Sequence, residues 1–168
     1  MNLTVDMHNN PFLKYYQLKD NKITIHELAP NRIKMYFNEV IPKNQCVYFT
    51  IRIVNTKVNT FAFGIIDRKQ QRKDKSFYSM CYDYKTGDVK DSCYNKQAKQ
   101  CDWRHLRNPV PIKGLVARME VNLKEGRIAY YMDNEWQCDV LIPNYLTKCE
   151  TVPYISVKHR GDEFILND

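Results

Sequence analysis

The sequence predicts an all-β protein, an antiparallel two-sheet β-sandwich with little helix. Three observations lead there. Over residues 115–123 the odd positions are apolar (Leu115, Ala117, Met119, Val121, Leu123), and Arg118, Glu120 and Asn122 lie between them. A period of two is the mark of a half-buried strand. Two polar turns, Glu125-Gly126 and Asp133-Asn134-Glu135, join that run to residues 127–132 and then to 136–142. Three apolar-patterned runs separated by tight turns make an antiparallel meander, and Gly126 supplies the positive φ that such a turn needs. The rest of the chain breaks into similar short runs, about nine to eleven strands in all, and sheets apolar on one face must pair to bury it.

In chain order, Asn10-Pro11 is a plausible helix start, since Asn caps well and Pro fits a first turn. Phe12, Leu13, Tyr16 and Leu18 fit either a short helix on the body of the domain or an extended arm. Residues 1–21 are therefore read as an N-terminal arm or short helix, and 22–168 as the sandwich. Ile23 and Ile25 open the strand signals, Leu28-Ala29-Pro30-Asn31 reads as a turn, and Ile33, Met35 and Phe37 alternate next. Pro42-Lys43-Asn44 breaks the chain before VYFTIRIV at 47–54, a β-branched and aromatic run with Arg52 facing out. TFAFGIID at 60–67 is another strong strand, followed by the basic stretch 68–75. Residues 76–84 follow, where Phe77, Met80 and Tyr82 are expected to pack inward, and Lys85-Thr86-Gly87-Asp88 is a turn. Residues 91–111 are polar, with Ala98, Cys101, Trp103 and Leu106 as anchors and no clean period, so they read as a long excursion with at most one helical turn. Residues 152–157 and 163–166 add two late strands.

With 168 residues the chain falls in the size range of one domain and can bury a sizeable core. No run approaches the roughly 20 apolar residues of a membrane span. MNLTVDMHNNPF lacks the basic and apolar blocks of a signal peptide, so an intracellular setting is expected, cytoplasm before nucleus. The six cysteines are then read as reduced thiols. Cys46 and Cys138 fall in strand-like runs, where a free cysteine behaves as a small hydrophobe. The net charge of +7 permits nucleic acid, an acidic membrane surface or an acidic protein as partner and selects none. Arg68, Lys69, Arg72, Lys73 and Lys75 crowd one segment; Lys96, Lys99, Arg104, Arg107 and Lys113 decorate another. Solvated loop charge is the plainest account of both.

The order and content of these runs resemble the SPRY (B30.2-like) domain, a bent antiparallel sandwich of the concanavalin-like jelly-roll type. The resemblance covers residues 22–166. VARMEVNLKEG followed by RIAYYMDNEWQCDVLI is similar to the family's alternating strand, acidic-Gly turn and "xLxFYxNG" strand. YFTIRIV resembles "YWEVEV", FAFGIID resembles "xxxGVxx", and VPYISVK resembles "xPxVSL". Phe49 and Thr50 replace the Trp and Glu of the family's "WEV", and Asn134-Glu135 stands where Asn-Gly is common. The resemblance implies a protein-recognition module without catalysis of its own, presenting one loop-ringed face to a peptide or folded partner. The sequence fits a stand-alone protein or a fragment of a larger one, and a stand-alone domain with no second module is expected to be a subunit of a larger assembly. The fold alone names no partner.

By position, that face draws on loops at 67–76, 83–90 and 92–110 and the turn at 132–137. The candidate partner-binding residues are Arg68, Lys69, Arg72, Lys73, Tyr94, Trp103, Arg104, His105 and Trp136, because aromatic and Arg anchors are the usual hot spots. Trp103 equally fits a plug that seals its loop onto the core, and Trp136, opening a strand after a tight turn, fits packing at the core edge. Four other chemistries come into question. Cys93, Cys101 and His105, with Cys81 before them, are good zinc ligands in type, but no C-x₂-C knuckle is present, and no metal or cofactor is expected. No G-x-S-x-G, P-loop or G-x-G-x-x-G occurs, and Asp162 and Glu163 on one strand would face opposite ways, so no enzyme is expected. Basic loops interleaved with Tyr78, Tyr82, Tyr84, Tyr94 and Trp103 make RNA or other nucleic acid the alternative partner. Carbohydrate is a third, since lectin sandwiches share the architecture.

Overall fold

The computed structural model describes residues 1–8, 12–27, 33–56, 61–70, 79–83, 88–91, 96–100, 113–157 and 160–167, with 79–83, 88–91 and 96–100 as strand backbone. Among them thirteen strands run in chain order: β1 (Tyr16–Lys19), β2 (Lys22–Ile25), β3 (Ile33–Tyr36), β4 (Cys46–Asn55), β5 (Ala62–Asp67), β6 (Ser79–Asp83), β7 (Asp88–Asp91), β8 (Lys96–Gln100), β9 (Leu115–Asn122), β10 (Arg127–Met132), β11 (Glu135–Leu141), β12 (Thr151–Val157) and β13 (Glu163–Leu166). They form a seven-stranded sheet in the order β1-β2-β13-β4-β9-β10-β11 and a six-stranded sheet in the order β3-β12-β5-β6-β7-β8, with every pairing antiparallel. The expected two-sheet sandwich is present, and so is the expected meander, as β9, β10 and β11.

Alternation sets the core. Val47, Phe49, Ile51 and Ile53 of β4, Ala117, Met119 and Val121 of β9, and Ile128, Tyr130 and Met132 of β10 are all buried, while their sequence neighbours point away. Phe61, just before β5, stacks on Phe164 of β13 with ring centroids 5.3 Å apart, tying the two sheets together. Such aromatic contacts add to the burial of two large apolar side chains. β5 and β12 do not alternate; every residue of both is buried. Ala62, Ile66, Val152 and Tyr154 pack with Tyr36 in a second apolar cluster, with Val40 against it. Strands covered on both faces read as continuous apolar runs, which accounts for AFGIID.

The ends of the chain also belong to the packed body. Leu3 and Val5 are buried, and Val5 bridges to Phe37. Asn167 clasps Leu3 from both sides: its Oδ1 accepts the Leu3 N–H, and its Nδ2 donates to the Leu3 carbonyl at 3.0 Å. The helix or arm expected over residues 12–18 is a single 3-10 turn, Leu13–Tyr15, after which Tyr16 opens β1.

Several expectations are corrected. The strand count exceeds the nine to eleven expected, partly because the polar stretch taken as a long excursion contains β8, which pairs with β7. KQAKQ comes last in its sheet among the described residues, and an outermost strand need not carry an apolar period. A short helix after β11, α1 (Asn144–Lys148), was not expected; five residues are too few to show a helical period, and no side chain caps its start. Cys46 is exposed rather than a small core hydrophobe, whereas Cys138 is buried as expected. The turns expected at 28–31 and 85–87, and the inward packing of Phe77, lie outside the described residues, as do the side chains of Met80 and Tyr82.

Candidate interaction surface on the outer sheet face

Four adjacent strands of the seven-stranded sheet, β4, β9, β10 and β11, turn a regular grid of side chains outward. Their register places Thr50, Arg118, Tyr131 and Trp136 in one row, Tyr48, Glu120, Ala129 and Asp139 in the next, and Cys46, Asn122, Arg127 and Leu141 in a third. Neighbours within a row sit on strands about 4.8 Å apart. The middle of the grid is Ala129, a methyl group among large side chains. The sheet face is therefore dished there, and Cys46, Glu120, Glu125, Arg127, Tyr131, Trp136 and Asp139 contribute to the lining of a depression of about 360 Å³.

Trp136 reaches this face through an irregularity. Tyr130 pairs with Cys138 but Tyr131 pairs with Trp136, so Gln137 is an extra residue in β11, a β-bulge. Gln137 and Cys138 are both buried, and Trp136 is 56% exposed. The packing at the core edge that its place in the sequence suggested is thus overturned. Without the extra residue, Trp136 would share the inward face with Cys138, two positions on.

The surface is held by its own polar contacts. Asp133 and Asn134 adopt φ of 48° and 66°, the positive φ that a two-residue hairpin turn demands. The Asp133 Oδ1 accepts the Val116 N–H at 2.7 Å, and the Asp133 N–H donates to the Val116 carbonyl at 2.9 Å, pinning the turn to β9. Arg118 lies over the Tyr131 ring at 4.0 Å and donates from Nη1 to the Asn134 Oδ1 at 3.3 Å. A guanidinium on an aromatic face is attracted by the ring quadrupole, so Tyr131 is fixed beside Trp136. Arg127 pairs with Asp139 across β10 and β11. The Cys46 thiol donates to the Glu120 carboxylate at 3.7 Å. Partial desolvation, and after it the charges of Glu120 and Glu125, hold that thiol above its ordinary pKa. Tyr48 and Leu141 at the margins are 59% and 73% exposed.

Of the residues picked from sequence, Arg68, Lys69 and Trp136 fall among the described ones. Arg68 follows β5, is exposed, and pairs with Glu150 at 3.3 Å, while its backbone N–H bonds the Glu150 carbonyl at 2.8 Å. Lys69 is exposed, its N–H bonded to the Asp67 Oδ1 at 3.0 Å. Glu150 follows α1, which itself follows the end of β11, whereas Trp136 is near the start of β11. Arg68 and Lys69 therefore lie toward the end of the sandwich that holds the close of β11 and the Glu125-Gly126 turn, and Trp136 lies beside the Asp133-Asn134 turn. Arg72, Lys73, Tyr94, Trp103, Arg104 and His105 lie outside the described residues, as do Cys93 and Cys101. Ala129, with Glu120, Arg118 and Tyr131 around it, is not among the residues the sequence singles out. Its signal is the outward half of the same alternation whose inward half forms the core.

No family model and no curated protein matches the sequence. Solved structures do match. A human SPRY domain is similar over 90% of this chain and 94% of its own, with TM-score 0.67 and 14% identity. The SPRY domain of human HERC1 is similar over 98% of each chain, with TM-score 0.67 and 10% identity. Stonustoxin is similar over 99% of this chain but 27% of its own, with TM-score 0.72 and 11% identity. These likenesses establish the fold, which is that of SPRY domains, in agreement with the resemblance read from the sequence.

Proposed function

We propose that this chain is a protein-recognition module that binds a peptide or protein partner through the outer face of the β4-β9-β10-β11 sheet, without catalysis and without a cofactor. SPRY domains as a class are protein-interaction modules, and the fold supports a role of that kind. The observation that carries the particular surface is Trp136: a large indole more than half exposed, on a rigid strand, beside a tyrosine already clamped by Arg118. A rigid aromatic loses little conformational entropy on binding, and tryptophan, tyrosine and arginine dominate interface energetics. The lone exposed apolar residue needs no explanation, but Trp136, Tyr48 and Leu141 share one face.

Arg68 and Lys69, with Arg72 and Lys73 after them in the sequence, and Tyr94, Trp103, Arg104 and His105 extend the proposal to a second contact, suited to an acidic segment of the partner. Membership of a larger assembly and an intracellular, cytoplasmic setting complete the reading.

The test is affinity capture from lysate of the source cells with the full chain, with nuclease and at raised salt, comparing wild type with Trp136→Ala. Stoichiometric protein partners that survive both treatments and vanish with the variant are expected. Recovery of nucleic acid, or partners lost on nuclease treatment, would overturn the reading in favour of nucleic-acid binding by the basic loops.

A further inference from the structure

The chemistry of the depression over Ala129 is specific enough to name what enters it. Its lining carries three carboxylates, Glu120, Glu125 and Asp139, and one guanidinium, Arg127, which pairs with Asp139. Among the described residues neither Glu120 nor Glu125 forms an ion pair; the side-chain partner of Glu120 is the uncharged Cys46 thiol. On a chain of net charge +7, this is a local reversal of sign. Behind partial desolvation, the charges of Glu120 and Glu125 add to the rise in the Cys46 thiol. Trp136 stands at the rim, more than half exposed.

We propose that the depression receives an arginine side chain of the protein partner, its guanidinium against Trp136 and its charge met by Glu120 and Glu125. This rests on the recognition-module reading and gives the partner its chemistry at that surface. An apolar side chain would strip water from three carboxylates without replacing their hydrogen bonds, which is costly. An acidic side chain or a phosphate would be repelled. A lysine would supply charge as a strongly hydrated point, whereas a planar guanidinium stacks on an indole and offers N–H groups along its edges to two carboxylates at once. The surface already holds one such arrangement in Arg118 over Tyr131, with its Nη1 occupied by Asn134. A methyl at the centre of the grid leaves the room. A larger residue in place of Ala129 would narrow it.

The experiment uses the isotope-labelled full chain and three blocked tripeptides: Ac-Gly-Arg-Gly-NH₂, its lysine counterpart, and its citrulline counterpart, which keeps the shape of arginine and lacks the charge. The arginine peptide is expected to shift the Ala129 amide and the Trp136 indole N–H saturably, the lysine peptide more weakly and the citrulline peptide not at all. Glu120→Gln combined with Glu125→Gln is expected to weaken arginine-peptide binding about tenfold or more. Ala129→Leu, which narrows the depression and leaves the charges, is expected to weaken it about tenfold or more, with signal dispersion confirming that both variants fold. No shift with the arginine peptide, equal shifts with citrulline, or indifference to both variants overturns the proposal. Shifts at Ala129 on diluting the protein alone assign the depression to the basic segment of a second copy and overturn it likewise. If partner capture is lost with Trp136→Ala yet survives Glu120→Gln/Glu125→Gln, the recognition module stands and the arginine falls. If capture ignores Trp136→Ala while the arginine peptide binds, the arginine site stands and that reading of the partner surface falls.

Discussion

Trp136 and Cys138 are two residues apart in β11 yet lie on opposite faces of the sheet, the indole 56% exposed and the thiol 1% exposed. In a regular strand, residues i and i+2 share a face. The bulge at Gln137 breaks that rule, and with it the core gives up a tryptophan and the surface gains one. A buried tryptophan contributes stability; an exposed one is available to a partner.

The first prediction follows from that difference. Trp136→Ala should change folding stability by about 0.5 kcal/mol or less, as surface substitutions do. Phe164→Ala, removing a fully buried ring stacked on Phe61, should cost about 3–5 kcal/mol. Urea denaturation of the two variants checks both; a large loss with Trp136→Ala would mean that the indole is packed.

Arg118 positions Tyr131. Arg118→Met keeps much of the stem but removes the charge over the ring and the bond to Asn134, and should cost about 0.5–1 kcal/mol. The Tyr131 ring signals should broaden or move while the core signals stay. An unchanged Tyr131 would show that its place is set by β10 alone.

After partial desolvation, the charges of Glu120 and Glu125 disfavour the thiolate of Cys46. With both changed to Gln, the Cys46 pKa falls, the thiolate fraction at pH 8 rises, and alkylation by neutral iodoacetamide should speed up at that residue. Peptide mapping by mass spectrometry isolates Cys46 from the other cysteines. An unchanged rate would remove the negative field from this corner of the sheet.

Burial, and after it the nearby charge of Asp67, push the Cys149 thiol up to about 11 from its ordinary 9.0, against a lowering by Lys43. The folded pKa is the higher one, so the protonated thiol is favoured in the folded state. Its contribution is complete below about pH 9 and is lost as pH rises through about 11. Cys149→Ser should therefore flatten part of the fall in melting temperature over that window. Identical alkaline limbs for wild type and variant would refute the shift.

Asn167 closes the chain ends by bonding both backbone groups of Leu3. Asn167→Ala leaves a half-buried N–H and carbonyl to find other partners and should cost about 1–3 kcal/mol. Amide hydrogen exchange at Leu3 should accelerate more than exchange in β9.

The central strands were legible in the sequence because their information is local. Val47-to-Ile53 and Leu115-to-Val121 alternate, Gly126 and Asp133-Asn134 make the turns, and AFGIID runs unbroken because β5 is covered on both faces. β8 and α1 were not legible. One is a polar edge strand and the other a single turn and a half, and neither has to carry an apolar period. Arg68, Lys69 and Trp136 were recognisable by residue type, but type does not say which end of the sandwich holds them.

The sequence by itself determined the two-sheet architecture and the meander, since side-chain alternation and turn chemistry are properties of short segments. Only the tertiary structure decided which way Trp136 faces, because a bulge exists only against a paired strand, here β10. It also decided that Glu120, Ala129 and Trp136, from three different strands, surround one depression. Register across a sheet is a relation between segments, and no single segment contains it.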